Sequence, residues 1–225
     1  MLALRIFGYN LEIRWSILIW AIFVIDTFPA AGIAIWIAVA AATILIHELG
    51  HAIVTDRVGG SVEKIVLYGM GGLTYSRNVK QGWPSFAVSF AGSAIQIILG
   101  MITFGIIRAG IPPGAAMYAS RPWSVDLISP LVAGNYMVFA SLAFMWISVF
   151  WGAFNLLPLG GLDGSSMLAE CIDKIVPGKG RFHATIIGLL VSGVVGYLMY
   201  LRGNTFIPII LFYFALISLS NLRRR

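Results

Sequence analysis

TFPAAGIAIWIAVAAATILIHELGH, residues Thr27 to His51, decides how the rest of the chain is read. Its first twenty residues, Thr27 to Ile46, carry no charge and no histidine. At about 1.5 Å per residue such a stretch makes a helix about 30 Å long, the thickness of the hydrocarbon core of a bilayer. The last five residues place His47, Glu48 and His51 at the inner end of that helix. Each ionisable side chain deep in lipid costs roughly 2.5–3.5 kcal/mol on insertion scales, so three so close together require a compensating partner, and a metal ion supplies it. The continuation to Val54 and Thr55 sets the motif about 12 Å below the cytoplasmic surface, with water reaching it from that side.

The composition agrees. The 225 residues are 59% hydrophobic and 11% charged, outside the range of a water-soluble domain of this length. Uncharged runs from Trp15 to Ile25, Thr27 to Ile46, Gln81 to Ile107, Leu127 to Leu162, Ala184 to Leu201 and Gly203 to Leu222 predict about six transmembrane helices. The expected fold class is an all-α polytopic membrane protein with short β-strands or a re-entrant segment near the cytoplasmic face. One domain covers residues 1–225, with core helices at about 31–55, 83–107 and 131–156, and no loop offers room for a PDZ-like or CBS-like regulator. The net charge of +6 is a topology signal instead of a nucleic-acid footprint. With the N-terminus in the cytoplasm, only Arg108, Arg121 and Arg202 fall outside. This positive-inside bias predicts a protein integral to the cell membrane with both termini cytoplasmic. Cleavage of the opening residues as a signal peptide would remove the first helix and reverse that bias. Cys171, the only cysteine, has no partner for a disulfide or a thiolate metal site.

Along the chain, residues 4–14 suit a short surface hairpin with a turn at Gly8-Tyr9-Asn10, followed by a first helix over about 15–28 with Asp26 at the interface. Residues 58–76, VGGSVEKIVLYGMGGLTYS, read as strands or a re-entrant loop. Lipid does not tolerate unpaired backbone, so this segment belongs at the interface or in the cavity of the bundle. A helix from Leu131 to Asn155 should break at Pro158, and residues 165–175 suit a short surface helix. Trp15, Trp20, Trp36, Trp83 and Trp123 read as interface anchors or lipid-facing packing.

Residues four apart on a helix differ by about 40° in azimuth, so His47 and His51 project from one face and can bind one ion, expected to be Zn2+. Glu48 is offset by about 100° and stands beside the ion, where it can accept a proton from a water that the metal activates and return it to the leaving amine. Catalytic zinc uses three protein ligands. His183, beside Arg181, reads as interfacial. Glu63, Glu170, Asp173 and Asp56 lie in polar surface stretches, and Asp126 falls on the outer side. Asp163 stands apart, because the 36 residues before it carry no charge and Gly160, Gly161 and Gly164 allow a sharp turn. Asp163 would equally serve as the N-cap of the helix over 165–175, and Asn155 as an amide satisfying loose carbonyls at a helix end.

HELGH together with Asn155-Leu-Leu-Pro158-Leu-Gly-Gly-Leu-Asp163-Gly164 resembles the site-2 protease family of intramembrane metalloproteases, whose second motif is N-x-x-P-x-x-x-x-D-G. Leu11-Glu-Ile-Arg-Trp15-Ser16 and Gly69-Met-Gly-Gly72 extend the likeness over most of the chain. The resemblance implies Asp163 as third ligand, Glu48 as base, and Asn155 as a donor to substrate or oxyanion. Members often carry Ala-Gly-Pro in the third helix with an asparagine soon after, where this chain has Ala91-Gly92-Ser93 and Gln96; many carry a second glycine where Ser165 stands. Ser93 and Gln96 are expected to hydrogen-bond between helices.

The expected function is hydrolysis of peptide bonds in transmembrane segments of single-span membrane proteins. The substrate would unwind and add as a strand against the 58–76 segment, with Gly69, Gly71 and Gly72 in the binding stretch. The resemblance suggests anti-sigma factors, transcription-factor precursors or signal-peptide remnants as substrates. Rival readings are a membrane metal transporter or sensor, which would call for polar residues at several depths and related halves, and a client-binding pseudoprotease.

Overall fold

The computed structural model describes residues 1–118 and 127–223; Arg121, Trp123, Asp126, Arg224 and Arg225 lie outside them. The order of elements is β1 (Leu2–Ile6), β2 (Tyr9–Ile13), a 3-10 helix (Trp15–Phe23), α1 (Ala30–Arg57), β3 (Ser61–Tyr68), β4 (Gly71–Arg77), α2 (Trp83–Arg108), a short 3-10 turn (Ala115–Met117), α3 (Ile128–Val132), α4 (Tyr136–Asn155), α5 (Asp163–Ile175), α6 (Gly180–Leu201) and α7 (Phe206–Arg223). Among the described residues α1, α2, α4 and α6 are long and apolar enough to cross a membrane, and α7 is apolar but shorter. Ile98, Met101, Leu190, Tyr197 and Phe212 are about half exposed or more, a surface suited to lipid and poorly suited to water. The chain divides into two compact units, Met1–Asn78 with Ala91–Ala153, and Val79–Phe90 with Phe154–Arg225.

In the first unit the strands form one sheet in the order β1-β2-β3-β4, with β2 and β3 parallel and the other pairs antiparallel. Both expected β segments are therefore strands. They pair with each other, which satisfies the backbone that lipid would leave unbonded. The helix expected over 15–28 is not formed. Residues 15–23 are a 3-10 helix of nine residues, about 18 Å long at 2.0 Å per residue, well short of a membrane span. β2 and the 3-10 helix run antiparallel to α1. Tyr9 meets Asp56 near the C-terminal end of α1, Trp20 accepts a bond from Trp36 Nε1 at 3.1 Å, and Phe28 packs edge-on to Trp36 near its start. Leu11, Ile17, Trp20, Trp36, Ile44, Ile65, Phe139 and Ile147 form the core.

The helix expected from Leu131 to Asn155 is interrupted. Gly134 adopts φ +71°, and the Asn135 side chain accepts the Val138 N–H at 3.2 Å, an N-cap that restarts the helix as α4.

At the base of the sheet, the Tyr9 hydroxyl donates to Asp56 Oδ2 at 2.6 Å. Burial, then this hydrogen bond and the Asp56 charge, push the Tyr9 hydroxyl from its ordinary 10.0 up to about 12. The folded state thus favours the neutral phenol. Its contribution to stability is complete below pH 10 and declines as the pH rises from about 10 to about 12. The stability difference between wild type and Tyr9→Phe is expected to narrow across that window, as denaturation of both proteins at pH 8 and pH 11 would register.

In the second unit, α5, α6 and α7 surround the segment that follows α4. Leu159, Leu162, Leu211 and Phe214 make its core, and Ser218 Oγ accepts the Gly160 N–H at 3.1 Å while donating to the Phe214 carbonyl at 2.9 Å. Gly82 N–H bonds Glu170 Oε2 at 2.6 Å, and Lys174 Nζ lies 3.4 Å from the centre of the Trp83 ring. The surface helix begins two residues earlier than expected, at Asp163. Leu162 occupies the cap position, and Asp163 is an acid of the first turn. A Cβ on Gly164 would run into the Leu156 and Leu157 carbonyls, which belong to backbone and cannot swing aside. Gly164→Val is expected to destabilise the protein by roughly 1–3 kcal/mol, read as a lower Tm in detergent.

Candidate metal centre

α1 buries one stripe: Gly32, Trp36, Ala40, Thr43, Ile44, His47, Glu48, Gly50, His51, Ala52 and Thr55. The spacing of Gly32, Trp36, Ala40, Thr43, His47 and His51 marks one helix face, and burial widens around the helix from Glu48 to Ala52. His47, Glu48 and His51 are 5%, 3% and 8% exposed. Their ligand atoms lie within 4.8 Å of one another.

Small residues let α2 approach this face. A Cβ on Gly50 would stand 2.8 Å from the Ala91 carbonyl oxygen, and one on Gly92 would stand 2.5 Å from His51 Nε2 and 2.9 Å from His47 Nε2. Close approach through small residues is how helices pack in lipid, where water supplies no drive to associate. Here it also opens the space that the imidazoles fill. Their Nε2 atoms face each other at 3.0 Å. Two neutral imidazoles stand nitrogen to nitrogen at this distance only with a proton or a cation between them. A tetrahedral zinc with Zn–N of about 2.0–2.1 Å sets its ligand nitrogens about 3.3 Å apart, so the pair suits that ion with a shift of a few tenths of an ångström.

Glu48 is held by the sheet. Thr74, on β4, places its hydroxyl 2.7 Å from Glu48 Oε2 and 3.1 Å from the Glu48 carbonyl. Gly72, on the same strand, lies so close over the Glu48 side chain that any Cβ would overlap it. Of the other glycines expected in a substrate-binding stretch, Gly69 is closed against Ser16 and Ile19, and Gly71 adopts φ +132° beside Trp151. β4 ends the strand order, so only one of its edges is paired within the sheet.

His47, Glu48, His51 and Gly72 belong to the first unit, whereas Asn155, the last residue of α4, and Asp163, the first of α5, belong to the second. Asn155 is buried, and Asp163 is half-buried with its Oδ2 wholly enclosed. His183 lies in the first turn of α6, also in the second unit. The sequence reading did not assign the contacts of Thr74 or Gly92 with this site. Ala91-Gly92-Ser93 did carry a signal, since its likeness to a family motif pointed to the segment without saying what it touches.

A buried His-Glu-His cluster on a membrane-type helix, closed by a glycine-bearing helix on one side and a β-strand on the other, makes a candidate metal site within a polytopic helical fold. The model of peptidase family M50 matches residues 35–195, most of the chain, and the protein belongs to that family, the site-2 protease family of zinc metalloproteases. It is accordingly an integral membrane protein. Among its relatives, Rip3 of Mycobacterium tuberculosis, whose name carries a zinc-metalloprotease assignment, is 27% identical over 89% of this chain and 52% of its own length. Zinc metalloprotease MJ0392 of Methanocaldococcus jannaschii is 23% identical over 59% of this chain and 32% of its own length. The chain thus spans about half the length of Rip3 and a third of MJ0392. The solved site-2 protease from Methanocaldococcus jannaschii shares the fold with a TM-score of 0.66 at 18% identity, over 97% of this chain and 94% of that one. The expected zinc thus has support from relatives named for it and from a cluster that could hold a metal.

Proposed function

We propose that this protein is an intramembrane zinc metalloendopeptidase that cuts peptide bonds in transmembrane segments of single-span membrane proteins, and that it resides in the cytoplasmic membrane with both termini inside. The observation that carries this reading is the facing pair of buried Nε2 atoms, 3.0 Å apart, on a helix apolar enough to cross a membrane. His47 and His51 hold one zinc through these atoms, and Asp163 supplies the third ligand. When bound, the zinc polarises the scissile carbonyl and lowers the pKa of a water to about 7.

The protein's own residues then divide the remaining work. Glu48 takes up a proton on a carboxylate oxygen and returns it to the departing amine, held for both transfers by Thr74. Asn155 donates to the oxyanion that develops on the carbonyl. A peptide bond inside a helix is shielded by its own turns, so the substrate unwinds before cleavage. The unpaired edge of β4 offers it backbone partners within reach of Glu48, and the pairing replaces the hydrogen bonds that unwinding removes. The product fragment leaves on the cytoplasmic side, and this chemistry would serve either regulated proteolysis or clearance of signal-peptide remnants.

The test is purification in detergent, zinc stoichiometry, reconstitution, and incubation with a tagged single-span protein. One zinc per chain and chelator-sensitive cutting within the apolar segment are expected. Zinc flux across the vesicle membrane without proteolysis would instead point to transport.

A further inference from the structure

Gln96 lies in α2 one helical turn after Gly92 and is fully buried. An amide removed from water costs free energy unless both its ends are bonded, and here both are. Gln96 Nε2 donates to the Thr43 carbonyl at 3.4 Å, and Gln96 Oε1 lies 3.0 Å from His47 Nδ1. The Thr43 carbonyl can only accept, so the amine end of Gln96 must face it, and this turns Oε1 toward His47. Oε1 can likewise only accept, so Nδ1 must carry the proton of the neutral ring. The lone pair of His47 is left on Nε2, the atom facing His51.

We propose that Gln96 is the positioning residue of the metal centre: through the Thr43 carbonyl it is locked in one amide orientation, and through Nδ1 it selects the tautomer and ring angle in which His47 can ligate. This rests on the reading of His47 as a zinc ligand. Gln96 touches neither substrate nor reacting atoms and acts through the imidazole alone. Thr43, Gln96 and His47 form a chain in which one backbone carbonyl of α1 orients a ligand one turn further along the same helix, with α2 as the intermediary. Partners of this kind are worth about 10- to 100-fold in metal affinity.

The experiment uses the full chain in detergent and reads zinc affinity by chelator competition, together with the visible absorption of the Co2+-substituted protein. Gln96→Leu removes the acceptor at similar volume and is expected to weaken zinc binding about 10- to 100-fold and to alter the Co2+ bands. Gln96→Glu keeps the acceptor toward Nδ1 but loses the donor to the Thr43 carbonyl, and is expected to recover part of the affinity and the Co2+ bands. Should the leucine variant not fold, Gln96→Met tests the same loss with a more adaptable side chain. A folded leucine or methionine variant with wild-type affinity and spectrum would overturn the proposal, and so would unchanged Co2+ bands in a variant of reduced affinity, since that result assigns the loss to packing away from the His47 ring. If the wild type binds no zinc, or His47→Ala binds it as tightly as the wild type, the metal reading itself fails and this inference with it. If those two behave as expected and only the Gln96 variants show no effect, the inference about Gln96 fails alone.

Discussion

Glu48→Gln is expected to keep one zinc per chain and to slow cleavage by about 10²- to 10⁴-fold, the range over which a positioned general base acts. The substitution changes almost nothing but the charge and the capacity to take a proton. The amide has the outline of the carboxylate and fits beneath Gly72, where nothing larger would. Its oxygen still accepts the bond that Thr74 makes to Oε2 at 2.7 Å. His47 and His51 are expected to keep their facing nitrogens, since that contact is made between the two rings. A single-turnover assay on a tagged single-span substrate, run beside a zinc determination on the same preparation, separates the two consequences. Full zinc with wild-type rate would end the assignment of Glu48 as base; loss of zinc would mean that the carboxylate shapes the metal site as well.

Gly92→Val should abolish both zinc binding and cleavage, although Gly92 ligates nothing. Its Cβ would stand 2.5 Å from His51 Nε2, 2.6 Å from His51 Cε1 and 2.9 Å from His47 Nε2, distances that no carbon keeps to an imidazole. Separating the helices would relieve the overlap, but the α1 and α2 backbones meet at Gly50 and Ala91, and moving them apart would surrender the packing around both. Swinging an imidazole away would relieve it too, at the loss of a ligand. Either route exceeds the roughly 10- to 100-fold cost of disturbing an outer partner. The control is Gly105→Val on the same helix, where a Cβ would meet nothing within 4 Å and zinc content and activity are expected to stay at wild-type levels. Equal zinc content in the two variants would remove Gly92 from the account of the site.

Much of the architecture was legible in the chain. α1 and α2 run within about two residues of the expected 31–55 and 83–107, because length and apolar content mark a membrane-type helix before any packing is considered. The surface helix after Asp163 and the strands around residues 4–14 and 58–76 were likewise marked by local signals. The segment over 15–28 was misread for a definite reason. Hydrophobicity reports that a stretch avoids water but says nothing of its rise per residue or of the helix type it forms. The break at Gly134 and Asn135 was equally hidden in a continuous apolar run, since a single capping amide interrupts the helix without interrupting its hydropathy. Of the site, the histidine pair and the carboxylate between them are readable in the sequence, and so is the presence of Gly72 and Gln96 near it, but not the atoms that these two, Gly92 and Thr74 touch.

What the sequence determined by itself is the pairing of His47 with His51 on one face and Glu48 beside them, because a spacing of four along a helix is local geometry that no distant residue can alter. Which atoms of those side chains face the centre was decided only by the tertiary structure. Gln96, Gly92 and Thr74 lie 26 or more residues along the chain from the α1 residues they touch, and those contacts are set by the azimuth and register of α2 and β4 against α1. Such contacts depend on how closely two backbones can approach, a property of packed surfaces that no window of sequence contains.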